Sequence, residues 1–238
     1  MKQLSESIIW VTGASRGIGA ACAKHLLRTG ANVAVSARKG DSLTTLTESL
    51  PKDARYHVVP CDVASKDSVD AAIRDITFKL GAVDILLNNA GLGIFAPFHE
   101  LSIDDADAML NVNLRGAFLC TQAVLPSMME RSEGVIVNIN SVAALKTFKN
   151  GSMYAASKAG LLAMSRVVRE EVRDYGIKVI DLMIGATETD IWSVEARNEF
   201  SPRMMQPDDI AESLLATLRL SPRMMPEELV LRPQRGDL

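Results

Sequence analysis

The stretch that decides the fold is Thr12-Gly13-Ala14-Ser15-Arg16-Gly17-Ile18-Gly19, which follows an apolar run and opens directly into a helical pattern. Gly13 permits a tight turn. Gly17 lets the backbone approach a phosphate closely, and Gly19 lets the helix pack near the sheet. Because a helix N-terminus presents free N–H groups and the positive end of its dipole, this stretch predicts a site for the pyrophosphate of a dinucleotide. A glycine-rich turn without a ligand is the alternative.

Apolar runs alternate with helical periods on both sides of this stretch. The pattern predicts strands at 8–11, 32–36, 56–59, 83–87, 134–139, 178–183 and 229–232, and helices at 17–28, 42–50, 65–80, 104–131, 152–175 and 207–220. Strands rich in Val and Ile that are each followed by a helix indicate a parallel sheet covered on both faces. The predicted fold class is therefore α/β, a doubly wound parallel sheet of about seven strands, in a single domain spanning 1–238.

Composition excludes several classes of protein. The chain has 238 residues, of which 47% are hydrophobic and 23% charged, and its net charge of −3 gives no general attraction to nucleic acid or to an anionic membrane. The three cysteines are far apart and the three histidines have no ligand spacing, so we expect neither a disulfide framework nor a metal site. The N-terminus is polar and resembles neither a signal peptide nor a membrane span, which makes the cytoplasm the default location.

The end of the second predicted strand indicates which dinucleotide binds. An acidic residue there would accept a hydrogen bond from the ribose 2′-OH of NAD, but the strand ends at Arg38 and no carboxylate follows until Asp41. Arg38 and Arg16 can converge on one phosphate, which favours NADP(H). Two solvated arginines are the alternative. In the first loop, the residues that we expect to contact the cofactor are Gly13, Ser15, Arg16, Gly17, Ile18 and Gly19.

Two further strands end in residues that suit the adenosine part of the cofactor. Asp62 and Val63 follow the third strand, where Asp62 can accept a hydrogen bond from the adenine amino group or simply order the turn. Asn88-Asn89-Ala90-Gly91 follows the fourth strand, and its small residues suit a backbone pressed against the ribose. We therefore expect Asp62, Val63, Asn89, Ala90 and Gly91 to contact the cofactor.

A tyrosine and a lysine at helical spacing predict acid–base chemistry. Tyr154 and Lys158 are separated by four residues near the start of a predicted helix, so their side chains share one face. A free phenol has a pKa of about 10, and a fixed ammonium nearby favours the phenolate and lowers that value. Ser141 follows the fifth strand, where its hydroxyl can hold a substrate carbonyl. Each residue alone is common on protein surfaces, and the prediction depends on the combination.

These motifs together resemble the short-chain dehydrogenase/reductase family in its compact single-domain form, over nearly the whole chain. The resemblance implies that Tyr154 gives or takes the proton and that Ser141 orients the carbonyl. It implies that Lys158 both lowers the pKa of Tyr154 and contacts the nicotinamide ribose, and that Asn113 holds a water in a proton relay to Lys158. The matching positions are 12–19, 62–63, 88–91, Asn113, Ser141 and 154–158.

The segment after the sixth strand departs from the family pattern at one position. The family usually has Pro-Gly-x-x-x-Thr, whereas this chain has Ile184-Gly185-Ala186-Thr187-Glu188-Thr189. The turn therefore lacks the fixed φ of proline. The resemblance still implies that Gly185, Thr187 and Thr189 contact the nicotinamide end of the cofactor, which is NADP(H) in our interpretation.

The expected substrate is a small-molecule carbonyl or alcohol. Segments 92–99, 142–153 and 190–206 should roof a largely apolar pocket, with contributions from Leu92, Phe95, Leu145, Phe148, Met153, Ile184 and Trp192. Lys146, Lys149, Arg197 and Arg203 near its entrance are interpreted as a solvated rim, with docking of an acidic substrate as the alternative. The family resemblance implies a homodimer or homotetramer built on the helices at 104–131 and 152–175.

Two alternative functions remain open at this point. The run Glu188-Thr189-Asp190-Ile191 is similar to 3-oxoacyl-carrier-protein reductases, although the ending at 228–233 lacks the glycine-rich segment that is usual in that group. The other alternative is a regulator that senses NADP(H) and catalyses nothing. A complete Ser–Tyr–Lys set favours the enzyme, since function resides in the site rather than in the fold.

Overall fold

Parallel strands form the centre of the fold in the computed structural model, which describes residues 2–237. Within those residues the sheet has seven strands in the order β3-β2-β1-β4-β5-β6-β7. The strands are β1 (Ile8–Val11), β2 (Asn32–Ala37), β3 (Tyr56–Pro60), β4 (Ile85–Asn88), β5 (Gly134–Ser141), β6 (Ile177–Ile184) and β7 (Glu228–Leu231). The predicted fold class is confirmed. The single domain over 1–238 stays a prediction, and Met1 and Leu238 lie outside the described residues.

Strand β1 lies at the point where the order of the sheet reverses. It pairs in parallel with β2 on one side, with Val11 opposite Val35, and with β4 on the other, with Val11 opposite Leu87. Side chains of a strand alternate between the two faces, and here Ile9 and Val11 pack into one core cluster while Trp10 packs into the other. The loops after β1 and β4 are therefore neighbours at the carboxyl edge, where ligands bind in such sheets.

Helices cover both faces of the sheet. They are α1 (Gly17–Leu27), α2 (Thr44–Glu48), α3 (Lys66–Lys79), α4 (Ile103–Met109), α5 (Ala117–Arg131), α6 (Ser152–Val172), α7 (Val194–Phe200) and α8 (Pro207–Leu218). Apolar residues of α1, α2 and α8 pack on one face, and those of α3, α5 and α6 pack on the other. Each face thus buries one stripe of every covering helix.

Several predicted boundaries are corrected. The helix expected at 104–131 contains a π-helical turn at Leu110–Gly116 between α4 and α5, and the helix expected at 42–50 is a 3₁₀ turn followed by the short α2. Helix α7 was not expected from the sequence. Strand β5 continues to Ser141 rather than ending at 139, because its last residues pair with β6 as far as Ile184. Apolar periodicity does not encode such changes of hydrogen-bond register.

Asp84 is a buried carboxylate just before β4, at the amino ends of the strands. It accepts hydrogen bonds from the main-chain N–H of Ile8 at 2.9 Å, from Lys2 Nζ at 2.9 Å and from Arg131 Nη1 at 2.7 Å. Burial alone would raise the pKa of this carboxyl, but these hydrogen bonds outweigh it and hold the pKa below its usual value. The carboxylate therefore ties the N-terminal segment and α5 to the sheet.

We expect Asp84→Asn to lower the free energy of unfolding at neutral pH by about 1–3 kcal/mol, because charged hydrogen-bond donors lose their acceptor. Since the folded pKa of Asp84 is lowered, its stabilising contribution is present above the unfolded pKa and is lost as the pH falls through the folded value. Urea unfolding at neutral pH and at about pH 3.5 measures this effect. The difference in the free energy of unfolding between the variant and the wild type should be smaller at the acidic pH.

The matched control is Asp70→Asn, which removes a carboxylate paired with Lys66 one helical turn away on the surface of α3. Exposed pairs of this kind contribute about 0.2–1 kcal/mol. Equal effects of the two substitutions would contradict the role given to Asp84.

Candidate active site

A cavity of about 740 Å³ opens at the carboxyl ends of the strands. Its walls come from the loops that follow β1 to β6 and from the first turns of α6. Most of the predicted site residues line it: Gly13, Ser15, Arg16, Gly17, Ile18, Arg38, Asp62, Val63, Asn89, Ala90, Gly91, Ser141, Tyr154, Lys158, Gly185, Thr187 and Thr189. Gly19 and Asn113 are buried behind the wall instead.

The loop after β1 needs its glycines for two separate reasons. Gly13 and Gly17 have φ values of +65° and +55°, in the region that favours glycine. A Cβ on Gly13 would lie 2.7 Å from the Cα of Ala90, and a Cβ on Gly19 would lie 2.4 Å from the main-chain oxygen of Gly13. The loop is thus folded tightly against the β4 loop and against the start of α1, which leaves its outer surface open to the cavity.

Thr12 and Asn89 join the loops after β1 and β4. The Thr12 hydroxyl accepts hydrogen bonds from the main-chain N–H groups of Asn89 and Ala90, at 3.0 and 3.1 Å. The Asn89 amide donates to the main-chain oxygens of Thr12 and Gly13, both at 2.9 Å. Sequence reasoning did not single out Thr12, and it expected Asn89 to serve a ligand rather than the neighbouring loop. A buried polar residue directly after a strand was the available signal.

The two arginines expected at a 2′-phosphate both border the cavity, in the loops that follow β1 and β2. Arg38 is exposed, and no acidic side chain among residues 2–237 lies within ion-pair distance of it. Arg16 pairs with Asp190, with 3.3 Å between Nη1 and Oδ2, which sequence reasoning did not anticipate. Asp62 accepts a hydrogen bond from the main-chain N–H of Ala64 at 3.0 Å, so it orders its turn while lining the cavity.

Ser141, Tyr154 and Lys158 come together at the other end of the cavity. Ser141 is the last residue of β5, and its hydroxyl lies close enough to Tyr154 to lower the pKa of the phenol and accepts from the main-chain N–H of Ala143 at 3.1 Å. Tyr154 and Lys158 lie one turn apart on α6, with the Lys158 Nζ 6.0 Å from the centre of the tyrosine ring. The same Nζ donates to the main-chain oxygen of Ile139 at 2.8 Å.

Burial dominates the protonation of this pair. It raises the pKa of Tyr154, and the nearby Ser141 hydroxyl only partly opposes that effect. It lowers the pKa of Lys158 to about 8, against the charge of Asp181. The expectation that the ammonium brings the pKa of the phenol below its free value is therefore wrong for this arrangement, because desolvation is the largest effect on the phenol. Tyr154 is a neutral hydrogen-bond donor at neutral pH.

Asn113 occupies the π-helical turn and is 1% exposed. Its amide accepts from the main-chain N–H of Leu92 and donates to the Leu92 oxygen, each at 2.9 Å, and it also donates to Ser157 Oγ at 3.0 Å. A Cβ on Gly91 would lie 3.3 Å from Asn113 Oδ1 and 3.8 Å from Lys158 Nζ. Asn113 thus anchors the segment beside Lys158, and its part in a water relay stays a prediction.

Pairing with β7 holds the segment that lacks the usual proline. The main-chain N–H of Gly185 donates to the Leu231 oxygen at 2.8 Å, and Thr187 donates its hydroxyl proton to the Gly185 oxygen at 3.1 Å. A Cβ on Gly185 would lie 3.1 Å from Pro233 Cδ. Ile184 is buried in the core, so the strand ladder and packing replace the constraint of a proline ring.

Apolar side chains line the end of the cavity where a substrate is expected. Of the seven residues expected there, Leu145 and Met153 do not line the cavity, and five do: Leu92, Phe95, Phe148, Ile184 and Trp192. The ring of Phe95 packs on that of Tyr154 at 5.4 Å between centroids, tilted by 54°. An aromatic surface thus adjoins the phenol, although Phe95 itself remains 48% exposed.

Two of the four cations expected at the rim pair with carboxylates, and a third donates to a main-chain oxygen. Lys146 Nζ lies 3.0 Å from Asp237 Oδ2, and Arg203 donates to the Asp237 main-chain oxygen at 3.2 Å. Arg197 Nη1 lies 2.7 Å from Asp190 Oδ1. Asp237 itself lines the cavity, which sequence reasoning missed because nothing in the local pattern brings a residue beyond β7 back to the site. Of the four expected cations, Lys149 lines the cavity.

Among residues 2–237, no helix is long and apolar enough to cross a membrane. No group of three or more metal-ligating side chains comes together in that range.

The chain is similar to oxidoreductases over nearly its whole length. The sequence profile described as short chain dehydrogenase matches residues 7–199. An uncharacterized oxidoreductase of Staphylococcus aureus is 32% identical over 233 residues, which cover 98% of this chain and 100% of that protein. An uncharacterized oxidoreductase of Staphylococcus haemolyticus is 30% identical over 234 residues, with the same shares.

Solved structures share the fold. A metagenomic short-chain oxidoreductase in complex with NADP has a TM-score of 0.85 and 31% identity, covering 98% of this chain and 99% of that chain. An alcohol dehydrogenase from the archaeon Thermococcus sibiricus, complexed with 5-hydroxy-NADP, has a TM-score of 0.86 and 29% identity, covering 98% of both. Together with the profile match, these likenesses show that the chain belongs to the short-chain dehydrogenase family, whose members are oxidoreductases that use nicotinamide cofactors on small-molecule substrates.

Proposed function

We propose that the chain transfers a hydride between NADP(H) and a carbonyl or secondary-alcohol substrate, with Tyr154 as the general acid or base. The observation that carries the proposal is the meeting of Ser141, Tyr154 and Lys158 at one end of a cavity whose other end is a glycine cradle. An acid–base group and a dinucleotide cradle in one cavity are what such a reaction requires.

The residues present fit a dinucleotide. Added Cβ atoms on Gly13 or Gly19 would collide with neighbouring backbone, so both positions admit only glycine without rearrangement. The loop after β1 would hold the pyrophosphate at the N-terminus of α1, and 62–63 and 89–91 would hold the adenosine. Lys158, Gly185, Thr187 and Thr189 would hold the nicotinamide end. When bound, the nicotinamide supplies or accepts the hydride.

Tyr154 is suited to donate a proton to a substrate carbonyl. Because burial raises its pKa, the phenol is protonated at neutral pH. A substrate oxygen that accepts from both Tyr154 and Ser141 is held and polarised, and the phenol proton passes to that oxygen in reduction. In oxidation, the reverse step, the phenolate form of Tyr154 takes the proton from the substrate hydroxyl and becomes the phenol. The ammonium of Lys158, whose pKa is about 8, stabilises the phenolate, which reduction forms and oxidation consumes.

The choice of NADP(H) over NAD(H) rests on charge. Arg16 and Arg38 border the adenosine end, and the first carboxylate after β2 is Asp41. Guanidinium groups suit a 2′-phosphate, whereas an acid at this place would repel one. Two structurally similar proteins were solved with NADP or 5-hydroxy-NADP, which supports the same choice.

We also propose a cellular location and an oligomeric state for the chain. Cys22, Cys61 and Cys120 are buried free thiols, which suits a reducing compartment such as the cytoplasm. Phe118 on α5 and Val167 on α6 are exposed apolar side chains, at 46% and 58%, which supports a homodimer or homotetramer through these helices.

We expect Tyr154→Phe to retain NADPH binding and to lower kcat by about 10²–10⁴-fold, because only the proton-transferring hydroxyl is removed. NADPH consumption over a panel of ketones, aldehydes, quinones, sugars and 3-oxoacyl thioesters measures turnover, and calorimetry measures binding. The matched control is Tyr175→Phe, at a partly exposed tyrosine after α6. Full activity in Tyr154→Phe would refute the mechanism, and a wild type that binds NADPH tightly but reduces nothing would favour the regulator.

We expect Arg38→Asp to weaken NADPH binding by about 10- to 100-fold, which corresponds to the loss of a charge-assisted hydrogen bond, and to affect NADH binding far less. Lys52→Asp makes the same change of charge in the exposed turn before β3 and serves as the control. Equal losses for NADPH and NADH would remove the basis for assigning a 2′-phosphate site to this end of the cavity.

We expect Gly13→Ala to weaken NADPH binding by about tenfold or more, or ~1.4 kcal/mol, because the methyl group would lie 2.7 Å from the Ala90 backbone and push the loop outward. Gly30→Ala is the control, since Gly30 has a φ of +84° but its Cβ would meet only Ser5 at 3.5 Å, away from the cavity. Calorimetry on both folded variants separates the effects. Equal NADPH affinities of the two variants would show that the close approach of Gly13 to Ala90 does not govern binding.

A further inference from the structure

Asp181 is a buried carboxylate in the middle of β6 that the proposed mechanism does not use. It is 0% exposed, and it accepts hydrogen bonds from Asn140 Nδ2 at 3.1 Å, Ser165 Oγ at 3.0 Å and Arg169 Nη2 at 3.1 Å. Arg169 is itself 3% exposed. An ion taken out of water costs several kcal/mol unless it is paired and hydrogen-bonded, so this cluster needs all of its partners.

Asn140 connects Asp181 and its hydrogen-bond partners to the end of β5. The Asn140 amide donates to Asp181 with its nitrogen, and its oxygen accepts the main-chain N–H of Ser141 at 2.8 Å. Because an amide has one donor end and one acceptor end, the carboxylate fixes which end faces Ser141. If the amide were free to turn over, its NH₂ group would face the Ser141 N–H and the hydrogen bond would be lost.

The same short segment of β5 carries the groups of the reaction end. Lys158 donates to the main-chain oxygen of Ile139, one residue before Asn140. Ser141, one residue after Asn140, lies beside Tyr154 on the cavity wall. Movement of this segment would therefore displace Ser141 and the acceptor of the ammonium together.

The charges around Asp181 come from two elements. On α6 these are Arg169, Arg166 and Lys158, and at the start of β7 they are Glu227 and Glu228. Burial raises the pKa of the Asp181 carboxyl to about 6, against hydrogen bonds from Asn140 and Ser165, so it is largely ionised at neutral pH. Its negative charge raises the pKa of Lys158, which burial lowers.

We propose that Asp181 is a positioning residue for the reaction: through Asn140 its carboxylate holds in place both Ser141 and the main-chain oxygen of β5 that accepts from Lys158. The inference rests on the proposed function for its catalytic meaning. The contrasting view is an ion pair that only joins β6 to α6 and has no effect on the reaction end.

The first test needs no turnover. Protein labelled with ¹³C-lysine is titrated by NMR, and the Lys158 resonance is identified by its absence from Lys158→Arg. In Asp181→Asn, which keeps the shape but removes the charge, we expect Lys158 to lose its proton at a lower pH than in wild type. Asp84→Asn is the matched control, because it removes another buried, ion-paired carboxylate at the opposite edge of the sheet. An unchanged Lys158 titration in folded Asp181→Asn would overturn the proposal.

The second test isolates the link to Ser141. Asn140→Ala leaves the Arg169–Asp181 pair in place, and we expect it to accelerate hydrogen exchange of the Ser141 amide and to lower kcat by about tenfold, with NADPH affinity retained. Asp84→Asn, measured under conditions where the two variants have similar thermal stability, should keep the wild-type exchange rate at Ser141 and the wild-type kcat. Slow exchange at Ser141 in Asn140→Ala would overturn the proposal even if Asp181→Asn fails to fold. A wild type without activity would defeat the proposed function. The hydrogen-exchange and titration results would still decide whether Asp181 and Asn140 hold the end of β5 in place.

Discussion

The hydrogen bond from the buried ammonium of Lys158 to the main-chain oxygen of Ile139 fixes the geometry of the reaction end, because it joins α6 to β5. With that contact made, helical spacing places Tyr154 one turn earlier on the same face, beside Ser141 at the end of the strand. A lysine whose ammonium is buried needs such an acceptor, since the desolvation of an unpaired charge would favour its neutral form. The packing of α6 against β5 at the reaction end thus depends on one contact.

Burial gives the two titratable groups opposite tendencies. It raises the pKa of Tyr154, which keeps the phenol protonated, and it lowers the pKa of Lys158 to about 8, close to the pH of a cell. A neutral acid next to an ammonium suits the proton donation that carbonyl reduction requires, because the ammonium stabilises the phenolate as it forms.

The sequence predicts the sheet well because each strand is a buried run and parallel strands must end at one edge. It also predicts which residues meet there, since the glycine-rich loop, Ser141 and Tyr154 all follow strands or begin helices. It does not predict the π-helical turn around Asn113, whose side chain is hydrogen-bonded to the main chain of Leu92 in a distant loop. Nor does it predict the pKa of Tyr154, which depends on burial by residues distant in the chain.

A row of polar side chains marks the boundary between the core and the site. Asn88, Asn138, Asp181 and Glu228 stand opposite one another in register across β4, β5, β6 and β7. Apolar residues at these positions would pack as well and could even stabilise the sheet, since buried ion pairs often contribute little net stability. They would not, however, fix the orientation of the strand ends. The buried polar residues of the sheet are therefore concentrated where the orientation of the strand ends matters more than the stability of the sheet.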